Sequence, residues 1–424
     1  MDEVINVNEA ISMLGAKVMN FGSASSSFSG FPKNLRSLFS KNVRADPSYN
    51  GIILHDLTAF TQMTSLTIFP YSGIIDTLKL PPKLLKLSIT CVKFQDLERI
   101  SFPPRIVDLK LTHCHITLTI GWLEPVRLKR LSLAHNNFRP FKAFLPCCEY
   151  LSLDDNPLAE LEIEAPVIKH ISLCDTLLAS IPKLPDSLQV LIISGYDLAL
   201  THMSDLPPSL KVLDLADSTD VVLEDYTFPP SIQELNLGQI GFLKMSGVKF
   251  AKGSRLKELI LGDSDLSTMD FSKLTTLNDR MIELPSGLKA LKLQGMNLEN
   301  IDGFTIPQSV TFLDLRENNL KSFEVKSHIE TLYLNENPIK SNFTVHEDLE
   351  LRVFDLTGIG LTEFSFEMVK APKLAQLRLG AELKMIDLFN NPANFQILEH
   401  YDGGSCTLIQ PKTGPESYIY SSLP

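Results

Sequence analysis

The chain has 424 residues, 44% of them apolar, with 50 acidic against 39 basic side chains for a formal charge of −11. That balance argues against sequence-independent nucleic-acid binding, which needs clustered Lys and Arg against phosphate. No stretch approaches the roughly 18 to 20 continuous apolar residues of a membrane span. Met1-Asp2-Glu3 lacks the basic and apolar segments of a secretory signal. Cys91, Cys114, Cys147, Cys148, Cys174 and Cys406 form no paired framework, so a reduced intracellular, cytoplasmic setting is expected. The lone sequon Asn342-Phe343-Thr344 reads as accidental in such a chain.

In chain order, Val7, Ile11, Leu14, Val18 and Phe21 recur at helical spacing, and Gly22 to Gly30 is a Ser/Gly-rich connection. Residues 1–30 are therefore expected to form a helical cap and a linker. From Phe31 to Asn394 one motif repeats: apolar, two variable, apolar, one variable, apolar, two variable, a small or amide residue, one variable, apolar. Leu131, Leu133, Asn136 and Phe138 return as Leu151, Leu153, Asn156 and Leu158. First positions fall at Leu84, Ile106, Leu128, Cys148, Ile168, Leu188, Leu210, Ile232, Leu256, Leu288, Val310, Ile329, Leu351 and Leu374. Subtracting neighbours gives steps of 19 to 24 residues, with one of 32, which is the signature of a solenoid.

The fourth and sixth positions, such as Leu109 and Leu111, alternate with polar residues as a half-buried strand requires. One unit cannot fold alone, because ordering removes roughly 1 to 2 kcal/mol of backbone entropy per residue while each buried Leu returns about 1.5 to 3 kcal/mol. Stacking covers both faces of every leucine layer. Two irregular places stand out: Asp46 to Phe60 is poorly patterned, and Phe271 to Glu283 is predicted to bulge as a loop or short helix on the outer side. Residues 395–424 read as a capping tail, with a helical stripe at Phe395, Leu398 and Tyr401 and a closing hairpin pairing Cys406–Ile409 with Tyr418–Tyr420.

This skeleton resembles the leucine-rich repeat family, which implies a curved solenoid with a parallel sheet on its concave face. Leu80-Pro81-Pro82, Phe102-Pro103-Pro104, Leu206-Pro207-Pro208 and Phe228-Pro229-Pro230, with Leu184-Pro185, Leu284-Pro285 and Ile306-Pro307, look like the proline-bearing repeats of bacterial effectors, slime-mould FNIP-type proteins and some yeast families. Proline locks φ and removes a donor, so the convex side is expected to be extended or turn-like with few helices. The resemblance also implies a buried Asn at the ninth position. Asn136, Asn156, Asn318 and Asn337 fit, Cys114, Thr176, Ser218 and Ser264 are partial substitutes, and Val92, Ile240, Met296 and Ile359 are not.

No phosphate loop, metalloprotease helix or nucleophile elbow is present, so the chain reads as noncatalytic, with no cofactor. Cys406 follows Gly403, Gly404 and Ser405 and invites comparison with a ligase nucleophile, but too little chain follows for such a domain. Cys147-Cys148 reads as filler rather than a redox pair. The eighth-position column Cys91, His113, His135, Asp155 and Asp175 has zinc-type ligands at ladder spacing; the alternative is a solvated turn edge, and no metal is assigned.

The expected inner wall, at third and fifth positions, is basic early through Lys86, Lys110, Lys129 and Arg130, while Asp155, Asp175, Asp217, Asp263, Glu317 and Glu336 line the eighth position later. Its exposed residues are expected to include Ser152, Ser172, Asp314 and Asp355. Solubility does not require Val190, Ile192, Val212 and Ile260 there, nor Tyr150, Phe312 and Tyr333, and apolar anchors ringed by charge are typical of protein interfaces. The expected function is an interaction scaffold holding a protein or peptide, its acidic end toward Lys110 and Arg130. The sequence carries no signal for one oligomeric state. An alternative is the substrate-recognition subunit of an F-box-type ubiquitin ligase, though no convincing F-box precedes Phe31.

Overall fold

All fourteen first repeat positions, from Leu84 to Leu374, are buried, none more than 2% exposed. The computed structural model describes residues 61–68, 78–90, 100–117, 127–195, 206–263, 282–325, 328–340, 343–345, 350–369 and 371–387. Outside these it describes residues 58, 392–393 and 395, the short strand Ala199–Leu200, and short strands toward both ends. Leu109, Leu213 and Leu313 at the fourth position are likewise buried.

The chain divides into two compact units, Met1–Leu198 with Pro207–Leu210 and Ala199–Leu206 with Lys211–Pro424. In the first, a parallel ladder runs through Val18–Phe21, Ser65–Ile68, Lys86–Thr90, Asp108–Thr112, Arg130–Ser132, Tyr150–Ser152, His170–Ser172 and Val190–Ile192. In the second, an equivalent ladder runs from Val212–Asp214 through Glu234–Asn236, Glu258–Ile260, Ala290–Lys292, Phe312–Asp314, Thr331–Tyr333, Val353–Leu356, Gln376–Leu379 and Ile397–His400 to Ile419–Ser421. Equivalent residues face each other without stagger, as in Leu109↔Leu131↔Leu151↔Ile171.

The outer sides carry shorter parallel sheets, such as Pro140–Phe144 with Glu160–Glu164, and Glu363–Ser365 with Met385–Asp387 and Thr407–Ile409. No helix occurs among the described residues, so the outer side of each unit is extended there, as the prolines predict. They act through a recurring turn. The Pro81, Pro103, Pro207 and Pro229 carbonyls accept the first-position N–H of Leu84, Ile106, Leu210 and Ile232 at 3.0 to 3.3 Å. The second proline of each pair then sits where a turn favours a fixed φ near −65°.

The ninth-position amides close the coils. Asn136 accepts from the Cys114 and Ile116 N–H at 3.0 and 3.2 Å and donates to the carbonyls of Leu111 and Leu133, both at 2.8 Å. Asn318 repeats this with Met296, Leu298, Leu293 and Leu315. Thr176 and Ser218 each satisfy one carbonyl, at 3.0 and 2.6 Å. Met296 needs no amide of its own, since its N–H is taken by the Asn of the next coil.

Three expectations fail at the ends. Val18–Phe21 is a strand paired with Ser65–Ile68, not the last turn of a helix. Residues 1–17 and 22–42, including most of the stripe and the linker, lie outside the described residues. Ile397–His400 is a strand of the inner ladder rather than a helical stripe. Thr407–Ile409 and Ile419–Ser421 do not pair as a hairpin, but each joins a different sheet in parallel. The physical reason is common to all: an open ladder edge leaves N–H and C=O groups unpaired, and another strand satisfies them where a helix cannot. Gly51–Leu54, in the poorly patterned stretch, pairs antiparallel with Val43–Asp46. Of the predicted bulge, Phe271 to Met281 lies outside the described residues, while Ile282 is buried and bridges Val248 in parallel.

Candidate functional site

The eighth-position column owes its composition to the backbone. His113, His135, Asp155, Asp175, Asp217, Asp263, Glu317 and Glu336 all have φ between 50° and 60°, and Gly295 and Gly358 at the same place have 61° and 63°. Non-glycine residues in this left-handed region are enriched in Asn, Asp and His. The left-handed turn aims each N–H at the next coil: His135 donates to the Asp154 carbonyl and Asp155 to that of Cys174, both at 2.8 Å.

His113 and His135 stack with centroids 4.1 Å apart and planes 11° from parallel, and His135 Nε2 lies 3.3 Å from Asp155 Oδ2. Stacked imidazoles direct their in-plane lone pairs side by side rather than at one shared ion. Among the described residues no group of three or more His, Cys, Asp or Glu is placed to hold a metal.

The inner wall of the first unit is built by its short strands, which alternate an inward leucine with outward third and fifth positions. The third-position column reads Lys86, Asp108, Arg130, Tyr150, His170, Val190 in lateral register. The guanidinium of Arg130 lies 4.1 Å from the centre of the Tyr150 ring, and Tyr150 stacks on His170 at 4.6 Å. Burial pushes the Tyr150 phenol up and, with Arg130 nearby, holds His170 below its ordinary range. Lys86, Lys110 and Arg130 are exposed and make no ion pair among the described residues. Behind this column Asp154 accepts from the Ser152 and Ser172 hydroxyls at 2.8 and 2.6 Å and from the Cys174 N–H at 2.9 Å.

In the second unit the inner ladder and the residues just after it are charged in pairs. Lys292 Nζ lies 2.6 Å from Glu258, Arg316 Nη2 lies 2.8 Å from Asp314, and Arg378 Nη1 lies 3.6 Å from Asp355. Phe312 and Tyr333 meet edge to face at 5.6 Å, with Lys292 and Arg316 over their rings. Asp314 is fully buried, which raises its carboxyl pKa above the ordinary range. Val212 and Ile260 sit two coils apart in different columns and form no cluster.

No family model and no curated protein sequence matches the chain. Among solved structures, YopM of Yersinia enterocolitica WA-314 is similar at 18% identity and a TM-score of 0.56, over 86% of this chain and 78% of that one. YopM of Yersinia pestis, a leucine-rich effector protein, is similar at 20% identity and 0.51, over 82% and 86%. A leucine-rich-repeat protein of Leptospira interrogans is similar at 19% and 0.52, over 93% and 96%. The chain is a leucine-rich-repeat solenoid.

Within the leucine-rich-repeat frame several wall positions are less open than the sequence suggests. Tyr150, Val190, Ile192, Val212, Ile260, Phe312 and Tyr333 are half-buried, and Ser152, Ser172, Asp314 and Asp355 are buried. The cause is lateral: at each step a neighbouring coil's side chain covers one flank. The structure joins Arg130 to Tyr150 and Phe312 to Tyr333. It also adds His170, Asp154 and Arg316, which the sequence reading left out of the site. His170 was detectable, since it follows Tyr150 by one repeat. Cys114, Cys147, Cys148 and Cys174 are free thiols. Cys148 is buried with its thiol pKa pushed up to about 11, which suits a filler. Cys406 lies outside the described residues.

Proposed function

We propose that this leucine-rich-repeat chain is a noncatalytic binding scaffold that takes a protein or peptide on the inner ladder of its first unit. The observation that carries the reading is the Arg130–Tyr150–His170 stack, with exposed Lys110 one coil away making no ion pair among the described residues, and with half-buried Val190 and Ile192 at its other end. Planar anchors held by their neighbours lose little freedom on binding, and unpaired cations offer long-range attraction to an acidic partner. An intracellular setting fits the free thiols.

The test is quantitative capture of companions by immobilised wild-type chain and by an Arg130→Ala/Tyr150→Ala variant with the same unfolding midpoint. Loss of two anchors should weaken capture of the specific companion by about tenfold or more. Equal capture by both proteins removes this wall as the site.

A further inference from the structure

The spacing of the first-unit columns says more about the ligand than its charge. Arg130, Tyr150, His170 and Val190 stand side by side on successive coils, in one lateral row. Adjacent strands lie about 4.8 Å apart, so Arg130 and Val190 are separated by about 14 Å across three steps. An extended peptide crossing the strands advances about 3.3 Å per residue and presents every second side chain to the same side. Four residues therefore cover that distance and return a side chain to the wall. An offset of three or five would point the second side chain away.

Taking the binding reading above as given, we propose that the first-unit wall selects an extended peptide bearing a carboxylate side chain and, four residues from it, an aliphatic side chain. The carboxylate meets the Arg130 guanidinium, which is exposed and makes no ion pair among the described residues. Lys110, also exposed and unpaired among them, lies one coil away in the fifth-position column, beside Ser132. The aliphatic side chain covers Val190, with Ile192 two residues along the same strand. The residue midway between them falls about 7 Å along, over the Tyr150–His170 stack. Charge complementarity favours this occupant over nucleic acid, because the cations are few and split between two columns, with Asp108 between Lys86 and Arg130, on a chain whose net charge is −11.

The experiment uses capped peptides in a Gly/Ser host carrying one Glu and one Leu at offsets of three, four and five residues, titrated against the full chain by fluorescence anisotropy. Offset four should bind about tenfold more tightly than three or five, the effect of placing one aliphatic side chain on or off the wall. Arg130→Ala should erase the preference for Glu over Gln. Val190→Thr, which keeps the branched shape, should erase the preference for Leu over Ala.

Affinity that follows charge alone, with offset irrelevant, overturns the spacing while leaving the scaffold reading intact. Equal binding of a short oligouridylate overturns the choice of a peptide. Self-association in sedimentation that disappears in Arg130→Ala assigns the wall to a second copy and overturns the proposal too. If no peptide binds and Arg130→Ala/Tyr150→Ala captures companions as well as wild type, the scaffold reading falls with it.

Discussion

The two inner walls use one repeat to opposite electrostatic ends. In the second unit Lys292, Arg316 and Arg378 are each matched to a carboxylate of the same wall. In the first, Lys86, Lys110 and Arg130 have none among the described residues. Two of those carboxylates, Asp314 and Asp355, stand in the fifth-position column, which presents Ser132, Ser152 and Ser172 in the first unit; the third, Glu258, stands at a third position, where the first unit has Asp108. A wall whose charges are internally neutralised gains little from an ionic ligand, since its own pairs must first be broken. A wall with unmatched cations keeps its field for a partner.

The scaffold beneath should not share this contrast, and removing its amides is the largest way to check. Asn136→Ala in the first unit and Asn318→Ala in the second each leave several buried backbone groups unpaired, so each should lower unfolding free energy by roughly 3 kcal/mol. Thr176→Ala, which loses one bond, should cost about 1 kcal/mol. Urea titration measures both, and a clear inequality between the two Asn variants would show that the units are built on different principles.

Next in size is the arginine pair. Arg316→Ala strands the buried Asp314 carboxylate and should cost about 2 kcal/mol, allowing for the guanidinium's partial exposure. Arg130→Ala should stay within about 1 kcal/mol of wild type, the scale of an exposed cation–π contact, while capture of a partner falls. The opposite pattern in denaturation and binding assays would reverse the assignment of the two walls.

The smallest effects are titrations of opposite sign. Burial lifts Asp314 above 3.8, so the folded chain holds that proton longer than the unfolded one, and stability declines as pH rises through the lifted value. Burial and Arg130 depress His170 below 6.5, so its contribution is full above that pH and is lost as pH falls through the depressed value. Asp314→Asn should flatten the first slope and His170→Gln the second in midpoints measured across pH. A slope that survives its substitution belongs to another group.

Much of this was legible. Alternation around Leu109 and Leu111 requires a buried strand, and Asn136 or Asn318 three residues after such a pair announces the closing amide. The proline pairs foretold an extended outer side. What period alone could not supply was the partner. Val18 and Phe21, three apart, suit a helix face as well as a strand, and only the open edge at Ser65–Ile68 decides between them. His113, His135 and Asp155 look like ligands until their left-handed backbone accounts for them. Lys292 and Glu258 are 34 residues apart, across the longest repeat, so their pairing follows only from stacking.

The shared carbonyls between coils have a last consequence. The Lys129 carbonyl accepts from the amides of both Glu149 and Tyr150, and the Glu149 carbonyl from those of Lys169 and His170. Every such junction is interchangeable with the next, so excising or duplicating a full turn leaves matching seams on either side. The inner ladder can thus lengthen or shorten only in quanta of about 4.8 Å. Each quantum would move the proposed acidic and aliphatic contacts apart by a fraction of a residue pair, which makes duplication a coarse dial on which peptides the proposed site would fit.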